Sequence, residues 1–224
     1  MKVIGHRGAR GLAPENTLAS LEKGLQHHVD ELEFDLRVTK DNFVVLHHNR
    51  DVIDPNGKRR RISTHNLNEL REHKKDLTTL SEALDFVGRT VPLYIEVKPG
   101  ELTSPIIKIL RSYINKGWKS DDFLLSSFNL RILRELHAAL PDIEMIVNEN
   151  WSGIRATHRA RIVGAKRLSM NRRWLWSGFI RAMSNSGYKL VAFTVNDPMQ
   201  AKRWKNYGLY GIVTDYPDRF EKKS

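Results

Sequence analysis

The sequence predicts a closed α/β barrel, a TIM (β/α)8 barrel with a small insertion after the second strand. Short β-rich runs alternate with amphipathic, helix-length segments along the chain. Such alternation is typical of a parallel sheet, and a chain of 224 residues accommodates a barrel of about eight β–α units. A hydrophobic share of 40% is enough to fill its core. We therefore expect residues 1–224 to form one barrel domain.

The predicted elements follow in order. Strands are expected at 2–5, 31–36, 43–47, 93–97, 123–126, 144–147, 167–170, 190–195 and 211–214. Helices are expected at 17–27, 80–87, 105–116, 130–140, 154–163, 173–184 and 197–207. Asn129 and Asp197 suit helix N-caps, and Gly187 and Gly208 suit helix ends. Residues 49–77 are polar and weakly periodic, which predicts a small insertion beside the barrel mouth rather than a separate domain.

The composition narrows the function classes. Cysteine is absent, which excludes disulfides, thiolate zinc sites and cysteine nucleophiles. We expect a cytoplasmic protein, because neither a signal-peptide core nor a bilayer-spanning apolar run is evident. The net charge of +11 favours phosphorylated substrates, anionic lipid or nucleic acid, or else reflects a solvated basic surface. The basic run at 58–61 lacks interleaved aromatics, so we expect no specific nucleic-acid recognition. A peripheral contact with an anionic membrane surface stays open, as does the oligomeric state.

Two predicted strands carry acidic side chains at alternate positions. Glu33 and Asp35 share one face of the second strand, because side chains alternate between faces. Glu96 and Lys98 repeat this spacing at the strand 93–97. Carboxylates crowded inside a barrel repel one another, and a bound cation resolves the conflict. The three carboxylates predict an all-oxygen site for Mg²⁺ or Ca²⁺ rather than zinc. The alternative is that they pair with nearby lysines and arginines.

Two histidines lie at the ends of predicted strands. His6 directly follows the first strand, and His47 shares a face with Val45 at the end of the strand 43–47. Two histidines that face a hard cation suit a general acid and a general base for a phosphoester better than they suit additional ligands. Either histidine alone is more often a packed or surface residue.

These residues belong to a set of short motifs in a fixed order. The motifs are HRG at 6–8, PENT at 14–17, EFD at 33–35, the strand ending in His47, EVK at 96–98, SSF at 126–128, TVND at 194–197 and GIVTDYP at 211–217. As a set they resemble the glycerophosphodiester phosphodiesterase family over almost the whole chain. The resemblance implies a TIM barrel with a small insertion, a divalent cation, and hydrolysis of glycerophosphodiesters to sn-glycerol 3-phosphate and an alcohol.

The resemblance also implies roles for individual residues. By this similarity Glu33, Asp35 and Glu96 are the metal ligands, His6 and His47 are the acid–base pair, Arg7 and Lys98 hold the phosphate, and Phe193 contacts the substrate. Glu15 and Asn16 are expected to orient the site or cap the following helix, with capping the expected role of Asn16. The nucleophile is either water or the neighbouring glycerol hydroxyl, which would give a cyclic phosphate.

The chain departs from the family pattern after His47. His48 stands where the family usually has an aspartate, and residues 50–54 replace the usual LxRTT run. Phe193 stands where tryptophan is common. Because His48 follows His47 in a predicted strand, we expect it to face away from the metal site and to act only through its neighbours. These departures leave the preference for the leaving alcohol open.

Three other functions compete with this one. The first is a barrel without catalytic activity that binds anionic lipid or nucleic acid. The intact set of acids and histidines argues against it. A zinc amidohydrolase needs a His-x-His ligand pair, which the sequence lacks. A phospholipase-D-like enzyme that hydrolyses lysophospholipids shares the chemistry and differs in its substrate, and it is the strongest alternative.

Overall fold

The computed structural model describes residues 1–54 and 56–221 as one barrel with helices around it. The strands are Lys2–Gly5 (β1), Glu31–Val38 (β2), Val44–Leu46 (β3), Asp51–Ile53 (β4), Arg59–Arg61 (β5), Leu93–Val97 (β6), Phe123–Ser127 (β7), Glu144–Glu149 (β8), Arg167–Asn171 (β9), Lys189–Phe193 (β10) and Gly211–Thr214 (β11). The helices are Leu18–Gln26 (α1), Leu67–His73 (α2), Leu80–Val87 (α3), Ser104–Asn115 (α4), Leu130–Ala139 (α5), Gly153–Ile162 (α6), Ser177–Asn185 (α7) and Pro198–Lys205 (α8).

Eight of these strands close into the barrel. The order is β1, β2, β6, β7, β8, β9, β10 and β11, every neighbouring pair is parallel, and β1 also pairs with β11. The predicted TIM barrel is therefore confirmed. In this fold the strands all end at one face, where the loops that lead into the helices form the barrel mouth.

The barrel interior is apolar only in its middle. A small apolar cluster fills it: Ile4, Tyr94, Leu124, Ile146, Val191 and Val213. Buried charged side chains lie above and below this cluster, including Glu31 and Arg167 on one side and Asp35 on the other. A much larger apolar core lies between the strands and the surrounding helices. The helices thus supply the main hydrophobic stabilisation, and the strands present polar groups inward.

The chain between β2 and β6 leaves the barrel. β3 pairs antiparallel with the outer end of β2, β4 and β5 form a separate hairpin, and α2 follows. A capping box between Asn66 and Glu69 begins α2. An apolar core of its own holds this region: Val45, Val52, Ile62, Leu67, Leu70 and Leu77. That residues 1–224 form a single domain remains a prediction.

Most element ends differ from the predicted ones by one or two residues, among them the end of β3 at Leu46, and two regions differ further. The polar region 49–77 contains a hairpin and a helix, because a capping box and a few spaced apolar residues suffice for short elements. The predicted helix 173–184 is divided into a 3-10 turn at Arg172–Trp174 and α7, because Leu175 and Trp176 are extended. Within the described residues, no helix is long and apolar enough to cross a membrane.

Candidate active site

Three carboxylates meet at the barrel mouth. Glu33 and Asp35 point inward from β2, and Glu96 lies beside Asp35 in the register of β6. All three are buried, and one oxygen of each lies within 4.8 Å of the others. Burial, together with the charges of Asp35 and Glu96, raises the pKa of Glu33 well above its ordinary value. The strand periodicity therefore brings together the three acids that the sequence predicted.

The carboxylate cluster fits a divalent cation. Its donors are all hard oxygens, which suit Mg²⁺ and Ca²⁺ better than softer metals. Three carboxylates held together in a buried site repel one another unless positive charge is supplied. When bound, such a cation supplies positive charge beside the oxygens of a phosphoryl group.

Two basic residues share the cluster. The Lys98 ammonium lies 2.7 Å from Oδ1 of Asp35 and 2.5 Å from Oε1 of Glu96. Nε of Arg7 lies 3.1 Å from Oδ2 of Asp35. Although burial alone would raise the pKa of Asp35, Lys98 and Arg7 together lower it. The alternative that the acids pair with lysine and arginine thus holds for Asp35 and Glu96. The carboxylate of Glu33 is paired with neither the Lys98 ammonium nor the Arg7 guanidinium.

The loop after β1 orients Arg7. The Arg7 backbone N–H donates to Oε2 of Glu33 at 2.8 Å, and its Nη1 donates to both carboxylate oxygens of Glu15. Gly8 has a φ of +85°, and a Cβ there would overlap the backbone and side chain of Ser20 in α1. Glycine is therefore required at the point where this loop passes over the helix.

His6 is paired with an aspartate from the other end of the chain. Its Nδ1 lies 2.5 Å from Oδ1 of Asp215, and Asn196 donates to the second oxygen of that carboxylate at 2.8 Å. Burial lowers the pKa of His6, and the hydrogen bond to Asp215 opposes that shift. The pair is possible because β11 closes the barrel against β1, with Thr214 beside Gly5. Asp215 thus fixes the orientation of His6.

The structure reverses the expected orientations of His47 and His48. His48 lines the same cavity as His6 and the three carboxylates, whereas His47 does not. Nδ1 of His47 meets the carbonyl oxygen of Asn49, and Lys74 lies among its charged neighbours. The charges that act on His48 are instead Asp35, Lys98 and Arg7.

The reason lies in the length of β3. The expectation for His47 required a strand that runs to residue 47, but β3 ends at Leu46. Side-chain alternation holds only within the strand, so the next residues follow the bend of the loop. Arg37, the next inward residue of β2 after Asp35, donates from Nε and Nη2 to the His48 carbonyl oxygen and fixes this bend. The prediction that His48 faces away is therefore wrong.

Two asparagines support the acids in ways that the sequence did not predict. Asn16 does not cap α1, because the Thr17 side chain does so. Instead Asn16 donates to Oδ2 of Asp35 at 3.0 Å and accepts from the Asp35 backbone N–H at 3.1 Å. Asn148 on β8 donates to Oε2 of Glu96 at 3.1 Å. Asn148 could be found from its inward position near the end of a barrel strand, whereas no local signal marks the role of Asn16.

The cavity at the mouth has a volume of about 350 Å³. Phe193 forms part of its wall, and its ring lies 6.0 Å from that of Phe128 in an edge-to-face arrangement. His6, Arg7 and Lys98 line the same cavity. A wider groove continues outward from it past His48 to Trp151. The site therefore combines charged groups with an apolar wall, as a small organic phosphate would require.

A (β/α)8 barrel with this arrangement at the carboxyl ends of its strands defines a hydrolase for an anionic substrate. Residues 6–219 match the model of the glycerophosphoryl diester phosphodiesterase family, and the chain belongs to that family. It is a phosphoric diester hydrolase that acts on glycerophosphodiesters, which confirms the predicted family and activity.

Two individual relatives match nearly the whole chain, and a third matches about two thirds of it. A glycerophosphodiester phosphodiesterase of Bacillus subtilis is 25% identical over 98% of this chain and 85% of its own length. A phosphodiesterase of Oleispira antarctica, solved in complex with the product sn-glycerol-3-phosphate, is 27% identical, covers 98% of this chain and 94% of its own, and superposes with a TM-score of 0.86. A mouse lysophospholipase D is 31% identical over 65% of this chain and 48% of its own length.

Proposed function

We propose that this enzyme releases sn-glycerol 3-phosphate and an alcohol from glycerophosphodiesters, with His6 and His48 as the acid–base pair. The observation that carries the assignment is that both imidazoles line the cavity that also contains the three carboxylates. His47, which the strand pattern favoured, lies outside that cavity. The product is inferred by analogy with the Oleispira antarctica relative, which was solved with it.

Glu33, Asp35 and Glu96 are the proposed ligands of the divalent cation. Both Mg²⁺ and Ca²⁺ suit carboxylate oxygens, and titration of the metal-free protein with each ion distinguishes them. Arg7 and Lys98 are the proposed phosphate anchors, because each lines the cavity and is held by a carboxylate. A guanidinium can bind two phosphate oxygens at once, whereas an ammonium acts as a point charge.

The two histidines divide the proton transfers. One imidazole takes the proton of the attacking water, or of the neighbouring glycerol hydroxyl, as a new P–O bond forms. The other protonates the leaving alkoxide as the old P–O bond breaks. If the glycerol hydroxyl attacks, water opens the resulting cyclic phosphate in a second step. Burial lowers the pKa of His6 and of His48, which keeps a neutral imidazole available as a base at neutral pH. Asp215 favours the protonated form of His6, as a general acid or an acid–base residue requires.

Phe193 and Phe128 form the proposed apolar wall against the carbon skeleton of the substrate. Their edge-to-face packing fixes both rings at the cavity. Phenylalanine offers no indole N–H, so a tryptophan at this position would add a donor to the wall. A Phe193→Ala variant is expected to raise KM for glycerophosphocholine with a smaller effect on kcat.

The test is a comparison of two neighbouring alanine variants. His48→Ala should lower kcat/KM for glycerophosphocholine by at least about 10²-fold, because acid–base catalysis contributes at least that much. His47→Ala should stay within about tenfold of the parent, a change of roughly 1.4 kcal/mol in the barrier. Both are assayed with Mg²⁺, with Ca²⁺ and with chelator. An active His48→Ala enzyme beside an inactive His47→Ala enzyme would reverse the assignment.

A cytoplasmic location and the lack of specific nucleic-acid binding stay predictions. Cell fractionation and a nucleic-acid binding assay at physiological salt test them.

A further inference from the structure

Two neighbouring loops at the barrel mouth expose large apolar side chains. Trp151 and Ile154 lie where β8 leads into α6, and Trp174 and Trp176 lie where β9 leads into α7. Their exposed fractions are 65%, 85%, 48% and 66%. The rings of Trp151 and Trp174 are 5.9 Å apart, so the two loops form one surface, which we call the tryptophan rim. Exposed apolar surface of this kind marks an interaction site.

The tryptophan rim lies in a segment of one charge sign. Residues 150–196 contain nine lysines and arginines and no aspartate or glutamate. Arg172 and Arg173 are exposed in the turn just before Trp174, whereas Arg155 in the first turn of α6 is paired with Glu149 at 2.5 Å. Within the described residues, neither Arg172 nor Arg173 forms an ion pair. Their positive charge is therefore available to a partner.

This combination fits an anionic phospholipid surface. Tryptophan rings favour the headgroup level of a bilayer, where the ring meets lipid and the N–H meets water. Arginines beside them are attracted to anionic headgroups. A second copy of the chain would bring positive loops against each other, which opposes self-association through this surface. We propose that the tryptophan rim docks the enzyme onto anionic phospholipid membranes.

Docking would turn the barrel mouth toward the lipid. The loops that follow parallel strands all lie on the catalytic face of the barrel. Trp151 itself lines the outer groove, which also contains His48 and Lys98. The cavity of a membrane-bound enzyme would thus face phosphodiesters at the depth of the lipid headgroups. Membrane binding can be measured without turnover.

The experiment is co-sedimentation of the full chain with vesicles of phosphatidylcholine alone or mixed with phosphatidylglycerol. The parent should bind the anionic vesicles at least about tenfold more tightly than the neutral ones, and salt should weaken the binding. The double variants Ile154→Ser/Trp176→Ser and Arg172→Gln/Arg173→Gln should each lower the partition coefficient by at least about tenfold. The second variant keeps the test valid if the first does not fold.

Matched controls alter the opposite end of the molecule. Phe86→Ser/Ile162→Ser removes apolar side chains that are 43% and 38% exposed at the carboxyl ends of α3 and α6. Arg161→Gln/Arg203→Gln removes the same charge from the last turns of α6 and α8. Both controls should bind vesicles like the parent.

All four variants should keep the circular dichroism spectrum of the parent and its rate on water-soluble glycerophosphocholine. The proposal is overturned if the parent does not prefer anionic vesicles, or if the control variants lose binding as much as the rim variants. Light scattering that reveals a dimer broken by Ile154→Ser/Trp176→Ser would overturn it as well, because the rim would then be a subunit interface.

Discussion

The two ends of the barrel interior both bury acidic side chains, yet they balance them differently. At the end away from the mouth, Arg167 lies 2.7 Å from Oε2 of Glu31 and 3.1 Å from Oε2 of Glu144. The Tyr210 ring also packs against this guanidinium, at 5.0 Å. One arginine therefore satisfies two carboxylates with short ion pairs, and the group closes the lower end of the barrel.

The mouth instead brings three carboxylates together, with two basic side chains beside them. Glu33, Asp35 and Glu96 converge within 4.8 Å, and only Asp35 is in contact with both Lys98 and Arg7. The same inward face of β2 supplies acids to both ends, since its residues alternate from Glu31 to Asp35. Position along one strand therefore separates Glu31, which is ion-paired, from Glu33, which has no cationic partner among the described residues and lies where a cation would bind.

The largest effect is expected from a substitution in the carboxylate cluster at the barrel mouth. Asp35→Asn removes the carboxylate that joins Arg7, Lys98 and the proposed cation, so kcat/KM should fall by at least about 10³-fold, roughly 4 kcal/mol in the barrier. The midpoint of urea unfolding should decrease as well, because Lys98 and Arg7 lose a buried counter-charge. Steady-state kinetics and calorimetric Mg²⁺ or Ca²⁺ titration measure the change. Undiminished metal binding by a variant lacking all three carboxylates would contradict the ligand assignment.

The next largest effect comes from breaking the Arg167 ion pairs at the lower end, and it should fall on stability rather than on turnover. Arg167→Met leaves the buried Glu31 and the partly exposed Glu144 beside an apolar side chain, and the free energy of unfolding should fall by about 3 to 5 kcal/mol. The turnover of the folded fraction should remain near that of the parent. Urea denaturation checks the first expectation. Adding Glu31→Gln to Arg167→Met should restore part of the loss, and the absence of any recovery would show that packing, not charge, explains it.

A smaller effect concerns the aspartate that orients His6. Asp215→Asn should lower kcat/KM by about 10²-fold, or roughly 2.7 kcal/mol, because the imidazole loses its ionic partner. Asp215 raises the pKa of His6 against the effect of burial, so its loss lowers the pH at which His6 titrates. A pH–rate profile should show one limb displaced to lower pH. An unchanged profile in a slower enzyme would assign Asp215 a purely structural role.

The smallest effect is a pH dependence of stability in the presence of chelator. Burial and the neighbouring carboxylates raise the folded-state pKa of Glu33 above its ordinary value. Stability from protonated Glu33 is then fully present below the ordinary carboxyl pKa and is lost as the pH rises through the raised one. As the pH falls toward the ordinary carboxyl pKa, the parent should therefore gain stability relative to Glu33→Gln. Equal gains in both proteins would place the titration elsewhere.

The sequence predicted those features that depend on local periodicity. Alternation along β2 and β6 correctly grouped Glu33, Asp35 and Glu96, because a period of two persists as long as the strand does. The same rule failed at His48, where β3 had already ended. Asp215 stands in a motif recognised from the sequence, but its contact with His6 depends on barrel closure between the first and last strands. Contacts of this range leave no periodic signal in the chain.

The small core under residues 49–77 has a consequence for how the enzyme fails. His48 lies in the loop between β3 and the β4–β5 hairpin, which rests on six apolar side chains apart from the main core. Regions with few buried contacts open at lower free energy than the rest of a protein. On warming, the loop that carries His48 is expected to detach while the eight-stranded barrel is still intact. The heat tolerance of activity is then set by this insertion, and tighter packing within it would prolong activity without altering the barrel.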